Sequence, residues 1–408
     1  MRYLLKNAVL INGTGEASIL NAAIGIEGDR IVAIGKIGDF GSGWLEDHVQ
    51  TIDCDGNWVI PGLINAHDHL TMRDIIGPPI NEVHAGTCKL MLNCIRNSLT
   101  ALRRGWTTIR DMAAPDGLAL NVRDMINEGH MPGPRVISCG KPICVTGGHA
   151  WPVCIEADGQ DAIRKAARQQ FKEGADFIKV MASEDPYLKP GPEKTIPEMT
   201  LDEMRCAVEE CAIRGKHSAC HVMGNTAISN VLEAGVEVLS HGIYLNDELA
   251  ERMAKQGTFL DPTLCSYGIQ TVSPKRQRGD KWIENHKFLL DPLTISMECA
   301  VKAGVKIVVG TDTAGIYSDD IKMMQDHGMT PMETIVAATK NGADCMLLGD
   351  DLGTIEEGKI ADMVILGSDP LDAPDNIEDV QTVIKNGIPM KPSEIDLNDS
   401  AFLDAIKD

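Results

Sequence analysis

The chain has 408 residues, 43 % of them apolar, with a formal net charge of −21. That length supports one large core with a smaller companion, and the acidity excludes binding to nucleic acid through its phosphates, which requires basic surface. No apolar run reaches the roughly 18–20 residues that cross a bilayer, and the start, MRYLLKNAVLINGTGEASIL, lacks the apolar core and cleavage site of a secretory signal.

In chain order, residues 1–57 alternate in short runs (YLLKNAVLIN, AAIGIEGDRIVAIG, TIDCDGN) punctuated by Gly and Asp, as antiparallel strands do. From about 58 to 350 the style changes to β-rich apolar runs interleaved with helical patterns. The expected strands are 58–66, 106–112, 134–140, 176–182, 217–222, 237–243, 258–263 and 306–312. Helices are expected over 161–175 and 200–215, the second opened by the capping-box pair Thr200 and Glu203 and stopped by Gly215. Residues 354–390 return to the first style with KIADMVILG and DVQTVIKNGIPM. Eight strands alternating with helices predict an α/β fold, a (β/α)8 TIM barrel over 58–353. The small β domain, a β-sandwich, is expected from 1–57 plus 354–408.

In such a barrel the C-terminal ends of the strands share one mouth. His67 and His69 lie at the end of the first strand, Lys179 on the fourth, His221 on the fifth, His241 on the sixth and Asp312 on the eighth. Period-2 alternation turns His67 and His69 to one face and Asp68 to the other. A single histidine at a strand end is ordinarily structural, and Asp312 alone could cap a helix; convergence of the set is what indicates divalent metal. Lys179 is the unexpected member. Burial would lower its pKa, and a neutral amine can add carbon dioxide, giving a carbamate able to bridge two ions.

Around that set, His149 sits in the Gly-rich loop TGGHA, suited to close backbone approach. Tyr244 follows His241, His327 follows the eighth strand, and His84 belongs to the loop after the first. Arg110 and Asp111 are expected to pair with each other, and His217 to sit at the opposite, stabilising face. The stretch 184–197 reads as a surface loop. The 12 cysteines form no CxxC pair, and many lie in apolar runs, which suits free thiols in a reduced, cytoplasmic protein.

The segments PGLINAHDHL, FIKVMAS, ACHVMG, LSHGI and VVGTD, in that order, resemble the metal-binding motifs of the amidohydrolase superfamily. GTIEEGKIADMVIL resembles the segment by which its members return to their small β domain, and GWTTIRDM, TGGHA and DPTL resemble its imidazolonepropionase-related branch, which includes Xaa-Pro dipeptidases and ochratoxin-hydrolysing amidases. The resemblance implies two divalent ions, with zinc first among those such ligands accept. His67, His69 and Asp312 would hold one and His221 and His241 the other, bridged by Lys179 as N6-carboxylysine and by a hydroxide. Asp312 would shuttle the proton. His149, Tyr244, His327 and Met223, which stands where relatives often carry His or Tyr, would face substrate. The activity implied is hydrolysis of a linear amide, a peptide bond or an N-acyl amino acid, in a homo-oligomer. Two alternatives stay open: a cyclic amide or imide hydrolase, and a non-catalytic metal-binding scaffold.

Overall fold

A computed structural model describes residues 1–44, 46, 48–72, 84, 86–185, 195–268, 287–312 and 317–396. The chain ends meet in one sheet. It contains β1 (Arg2–Leu10), β2 (Ile19–Glu27), β3 (Arg30–Lys36), β4 (Gln50–Asp53) and β5 (Trp58–Pro61). Three late strands complete it, Met363–Leu366, Val380–Lys385 and Ile388–Met390. Its order runs from Ile388–Met390 through the other late strands to β5, β1, β2 and β3. The sheet forks at β1, where Tyr3–Lys6 pair in parallel with β4 while Val9 and Leu10 pair with β5. One apolar cluster unites both ends of the sequence, with Leu5, Ile24, Ile31 and Val59 packed among Ile355, Met363 and Ile384.

The run expected as one strand over 58–66 is two. Trp58–Pro61 belongs to the terminal sheet, antiparallel to Met363–Leu366, and β6 (Leu63–Asp68) starts afresh after Gly62. Gly62 is where the chain must squeeze between layers: its N–H donates to the Asp362 carbonyl at 2.8 Å, and a Cβ there would lie 2.1 Å from Thr107 Oγ1. Apolar residues on both sides of the glycine hide the change of sheet from a pattern reading.

The central strands are all parallel. β6, β7 (Trp106–Asp111) and β8 (Arg135–Ser138) form one group. The second group is ordered β10 (Ile155–Glu156), β9 (Ile143–Cys144), β11 (Ile178–Met181), β12 (Ser218–Val222), β13 (Val238–His241) and β14 (Phe259–Asp261). Two links join the groups. Asp176 N–H donates to the Ser138 carbonyl at 2.8 Å. Residues 306–312 lie between β14 and β6: Leu260 N–H reaches the Lys306 carbonyl at 2.9 Å, Ala66 N–H the Val309 carbonyl at 2.8 Å and Asp312 N–H the His67 carbonyl at 2.8 Å. That segment makes isolated bridges rather than the continuous strand expected over 306–312.

Between strands, amphipathic helices cover the sheet. The helix Gln160–Lys172 buries Ile163, Ala166, Ala167 and Gln170, one stripe at helical spacing. The helix Leu201–Ala212 starts with the expected box, Thr200 accepting from Glu203 N–H and Glu203 accepting from Thr200 N–H. Where these helices pack, the Glu210 carboxylate, 1 % exposed, takes Arg168 at 2.9 Å, Arg164 at 3.0 Å and Arg214 at 2.7 Å. The Arg168 hydrogen bond, followed by those of Arg214 and Arg164, holds its pKa down at about 2. Because the folded pKa lies below the ordinary 4.5, this stabilisation is complete above that pH and is lost as pH falls toward the folded value. Glu210→Gln is expected to lower unfolding free energy by about 2 kcal/mol at neutral pH, with the gap from wild type narrowing by pH 3. Urea unfolding at both pH values checks this, and an equal gap at both would contradict it.

Candidate metal centre

Five of the six sequence-expected ligands sit at or just beyond strand ends, and Lys179 lies within its strand. His67 is on β6 with His69 one residue beyond it, Lys179 is on β11, His221 on β12 and His241 ends β13; Asp312 closes the 306–312 segment. All six are buried: His67 is 1 % exposed, Lys179 2 %, His221 2 %, His241 4 %, His69 7 % and Asp312 8 %. Their side chains converge. His67 Nε2 and His69 Nε2 are 3.3 Å apart, Asp312 Oδ1 is 3.2 Å from His69 Nε2, and Lys179 Nζ is 3.4 Å from His67 Nε2. The imidazoles form an arc, with ring centres 5.3 Å apart from His69 to His67, 5.4 Å on to His241 and 4.7 Å on to His221.

Two backbone positions mark the arc as strained. His241 and Asp312 have φ of 71° and 52°, a left-handed conformation that costs a non-glycine residue roughly 1–2 kcal/mol. Such outliers persist where surrounding structure over-determines them, often at functional sites.

The electrostatics follow from burial. Desolvation, reinforced by Lys179, pulls His67 well below its usual pKa, and desolvation with neighbouring rings does the same to His221 and His241. Burial likewise lowers the Lys179 amine. His69 goes the other way: burial opposes protonation, but the bond to Asp312 raises it. Against the burial that would raise it, the His69 bond and the adjoining rings hold Asp312 well below the carboxylate range.

The donor set fits divalent ions. His67 Nδ1 donates to Asp261 Oδ2 at 2.5 Å, which leaves Nε2 as a lone pair facing the cluster. His241 Nδ1 lies 2.7 Å from Thr263 Oγ1, whose own hydrogen goes to the Pro262 carbonyl at 2.8 Å. That ring too presents Nε2 as an acceptor. The buried His69 Nδ1 and His221 Nε2 have no hydrogen-bond partner among the described residues. Buried polar atoms left without a partner are costly.

His149 stands beside the arc. Its ring stacks on His221 at 4.0 Å with 12° between planes, and its nearest charged groups include Lys179, Asp312 and His69. Burial, then Lys179, drops its pKa to about 3. A ligand atom from each of His149, Asp185 and His221 falls within a 4.8 Å cluster. Imidazole lone pairs lie in the ring plane, so stacked rings direct them along separate parallel planes. His149 therefore lies beside His221 with its lone pairs in a separate plane.

The other expected substrate residues have surroundings of their own. Met223 is fully buried in the main apolar core, just beyond the end of β12 at Val222 and before the turn at Gly224 (φ 88°). His327 is half-buried with Asp326 and Glu298 as its nearest charges, not Lys179 or Asp312. Tyr244 is half-buried with φ 73°, its carbonyl accepting from Asn225 Nδ2 at 2.7 Å. His84 is exposed. Arg110 and Asp111 do not pair, because neighbours on a strand face opposite ways: Arg110 lies over the Phe177 ring at 4.0 Å, while Asp111 accepts from Leu70 N–H and the Ser138 hydroxyl. His217 donates Nδ1–H to the Cys345 carbonyl at 2.9 Å, the structural role expected. Of the stretch 184–197, residues 186–194 lie outside those described.

Three residues after β14 were missed as participants. Thr263 meets His241, Ser266 Oγ donates to Asp312 Oδ2 at 2.9 Å, and the Tyr267 ring meets His241 edge-on at 5.3 Å while its hydroxyl donates to Asp185 Oδ2 at 3.1 Å. Asp261, within β14, was missed as well. The signal was an aspartate inside a buried strand, in DPTL, which reads in isolation as a turn.

Comparison with known proteins gives the chain's relatives. The sequence profile of the Amidohydrolase family matches residues 58–389. Ochratoxinase from Aspergillus niger is 29 % identical over 405 residues, covering 90 % of this chain and 82 % of that protein. Among solved structures, a Xaa-Pro dipeptidase with methionine bound in its active site superposes with a TM-score of 0.85 at 26 % identity, covering 96 % of this chain and 100 % of the other. The crystal structure of A. niger ochratoxinase gives a TM-score of 0.86 at 26 % identity, covering 98 % and 99 %.

Proposed function

From the premise that this chain belongs to the amidohydrolase family, a hydrolase of carbon–nitrogen bonds, we propose that the converging His67, His69, Lys179, His221, His241 and Asp312 hold two divalent ions, zinc first among them. His67, His69 and Asp312 would hold one and His221 and His241 the other. The ochratoxinase and Xaa-Pro dipeptidase relatives support a hydrolase acting on linear amide bonds and do not favour the cyclic-amide alternative. The single observation that carries the reading is the chain of 3.2–3.4 Å approaches that links Asp312 to His69, His69 to His67 and His67 to Lys179 in a buried site.

When bound, such ions would supply Lewis acidity for the amide carbonyl and lower the pKa of water. The protein's own groups do the rest. Lys179, buried with its amine pKa lowered, is suited to carboxylation; as N6-carboxylysine it would carry two oxygens to bridge the ions. Asp312, held ionised, takes the proton of the attacking water and returns it to the leaving nitrogen, giving a carboxylic acid and an amine. Ser266 donates to its other oxygen and fixes its rotamer. His149, neutral at physiological pH because of its burial, would hydrogen-bond the substrate carbonyl or carboxylate without adding charge.

The architecture we propose is a closed eight-stranded barrel, supported by the bonds that set 306–312 between β14 and β6. It carries a terminal β unit, 1–57 plus 354–408 folded as a sandwich, to which Trp58–Pro61 adds a strand; residues 397–408 lie outside those described. Twelve free cysteines support the cytoplasmic assignment, and no helix among the described residues is long and apolar enough to cross a membrane. Homo-oligomerisation is proposed on the family resemblance alone.

The test is a panel of dipeptides, N-acyl amino acids including the ochratoxin-type phenylalanine amide, and cyclic imides, with products separated and counted. Hydrolysis of a linear member to an acid and an amine, abolished by chelation and restored by zinc, is expected. Ring-opened single products would instead select the cyclic reading, and two bound ions without turnover of any member would select the scaffold.

A further inference from the structure

We infer that the Asp261-Pro262-Thr263 segment positions one histidine from each half of the metal centre. Asp261 would orient His67, and Thr263 would orient His241. The inference rests on the binuclear reading above and adds two residues that do not themselves ligate.

The strand order explains how one segment reaches both. Asp261 ends β14, opposite Ser240 on β13, and Thr263 lies two residues on, beside His241 at the end of that same strand. His67 is farther, on β6, with residues 306–312 in between. Asp261 crosses that gap because residue 310 is glycine. A Cβ on Gly310 would lie 2.2 Å from Asp261 Oδ1 and 2.6 Å from His67 Cβ, so any side chain there would occupy the path. The carboxylate is also held from behind, where Ser240 Oγ donates to Oδ2 at 3.2 Å. At the other ring the Thr263 hydroxyl is committed to the Pro262 carbonyl, and its oxygen can only accept from His241 Nδ1. Each contact fixes a tautomer and a ring angle, leaving Nε2 as the ligand. Partners of this kind change metal affinity by roughly 10–100-fold when removed.

The experiment titrates zinc into chelator-stripped protein against a chromophoric chelator, with circular dichroism verifying the fold. Asp261→Ala is expected to weaken one of the two ions 10–100-fold and to leave the other within about threefold. Thr263→Val is expected to weaken the other ion by a similar factor. Asp261→Asn and Thr263→Ser, which keep an acceptor for Nδ1–H, are expected to restore near wild-type affinity, a rescue that simple loss of packing would not show. Should Asp261→Ala fail to fold, Gly310→Ala, which leaves the carboxylate present but presses on it and on His67, is expected to weaken the same ion. Zinc-edge anomalous diffraction from partly loaded crystals identifies which site empties. Unchanged affinities in the Ala and Val variants, or equal weakening of both ions by each, would overturn the inference while leaving the metal centre intact. A wild-type chain that binds no zinc would instead overturn the metal centre itself.

Discussion

Asp312→Asn is expected to lower kcat by about 10³-fold while the protein stays folded and keeps much of its metal. The substitution preserves shape, and the amide oxygen can still accept the Ser266 hydroxyl that now reaches Oδ2 at 2.9 Å. What it removes is the ability to take a proton. The wild-type carboxylate is ionised at neutral pH because the His69 bond and the surrounding rings outweigh its burial, so the native group is a ready acceptor and the amide is none. Steady-state kinetics on a linear amide, with metal content measured on the same preparation, checks this. Turnover within tenfold of wild type would remove Asp312 from the proton path.

The second large effect is at Lys179. Lys179→Ala is expected to lower activity at least about 100-fold and to reduce the metal bound per chain. A bare ammonium 3.4 Å from His67 Nε2 would repel cations; carboxylated, the same side chain would attract two. The alanine variant leaves space beside His67 that a small carboxylic acid can enter, so propionate is expected to restore part of the activity. Lys179→Arg, always charged and unable to add carbon dioxide, is expected to show no such recovery. Normal hydrolysis by Lys179→Ala, without any additive, would remove the carbamate from the account.

How much of this was visible in the sequence depends on what kind of contact carries each role. The six converging residues were legible because parallel strands deliver their ends to one place, so position along the chain stands in for position in space. His67 and His69 illustrate it: two residues apart, one on β6 and one just past its end, they share a face, and the structure brings their Nε2 atoms to 3.3 Å. Met223, expected from the resemblance and one residue beyond β12, is buried in the main apolar core. The split at Gly62 was hidden because an apolar run carries no mark of which sheet it joins. Asp261 and Thr263 were illegible in a different way. Their partners lie on other strands, and in the case of Asp261 the link depends on the missing side chain of Gly310; no local pattern encodes that. His327 was placed by nearness in sequence to Asp312, whereas a helix, Tyr317–Asp326, carries the chain to other neighbours.

Diffraction data collected on both sides of a metal absorption edge, from crystals of the purified chain, test the central claim most directly. The account predicts two anomalous peaks roughly 3.5–4 Å apart. One should lie about 2.0–2.1 Å from ring nitrogens of His67 and His69, the other at the same distance from His221 and His241. Density extending from Lys179 Nζ should reach both peaks. No peak in crystals grown with added zinc, or a single ion whose neighbours exclude His221 and His241, would contradict it.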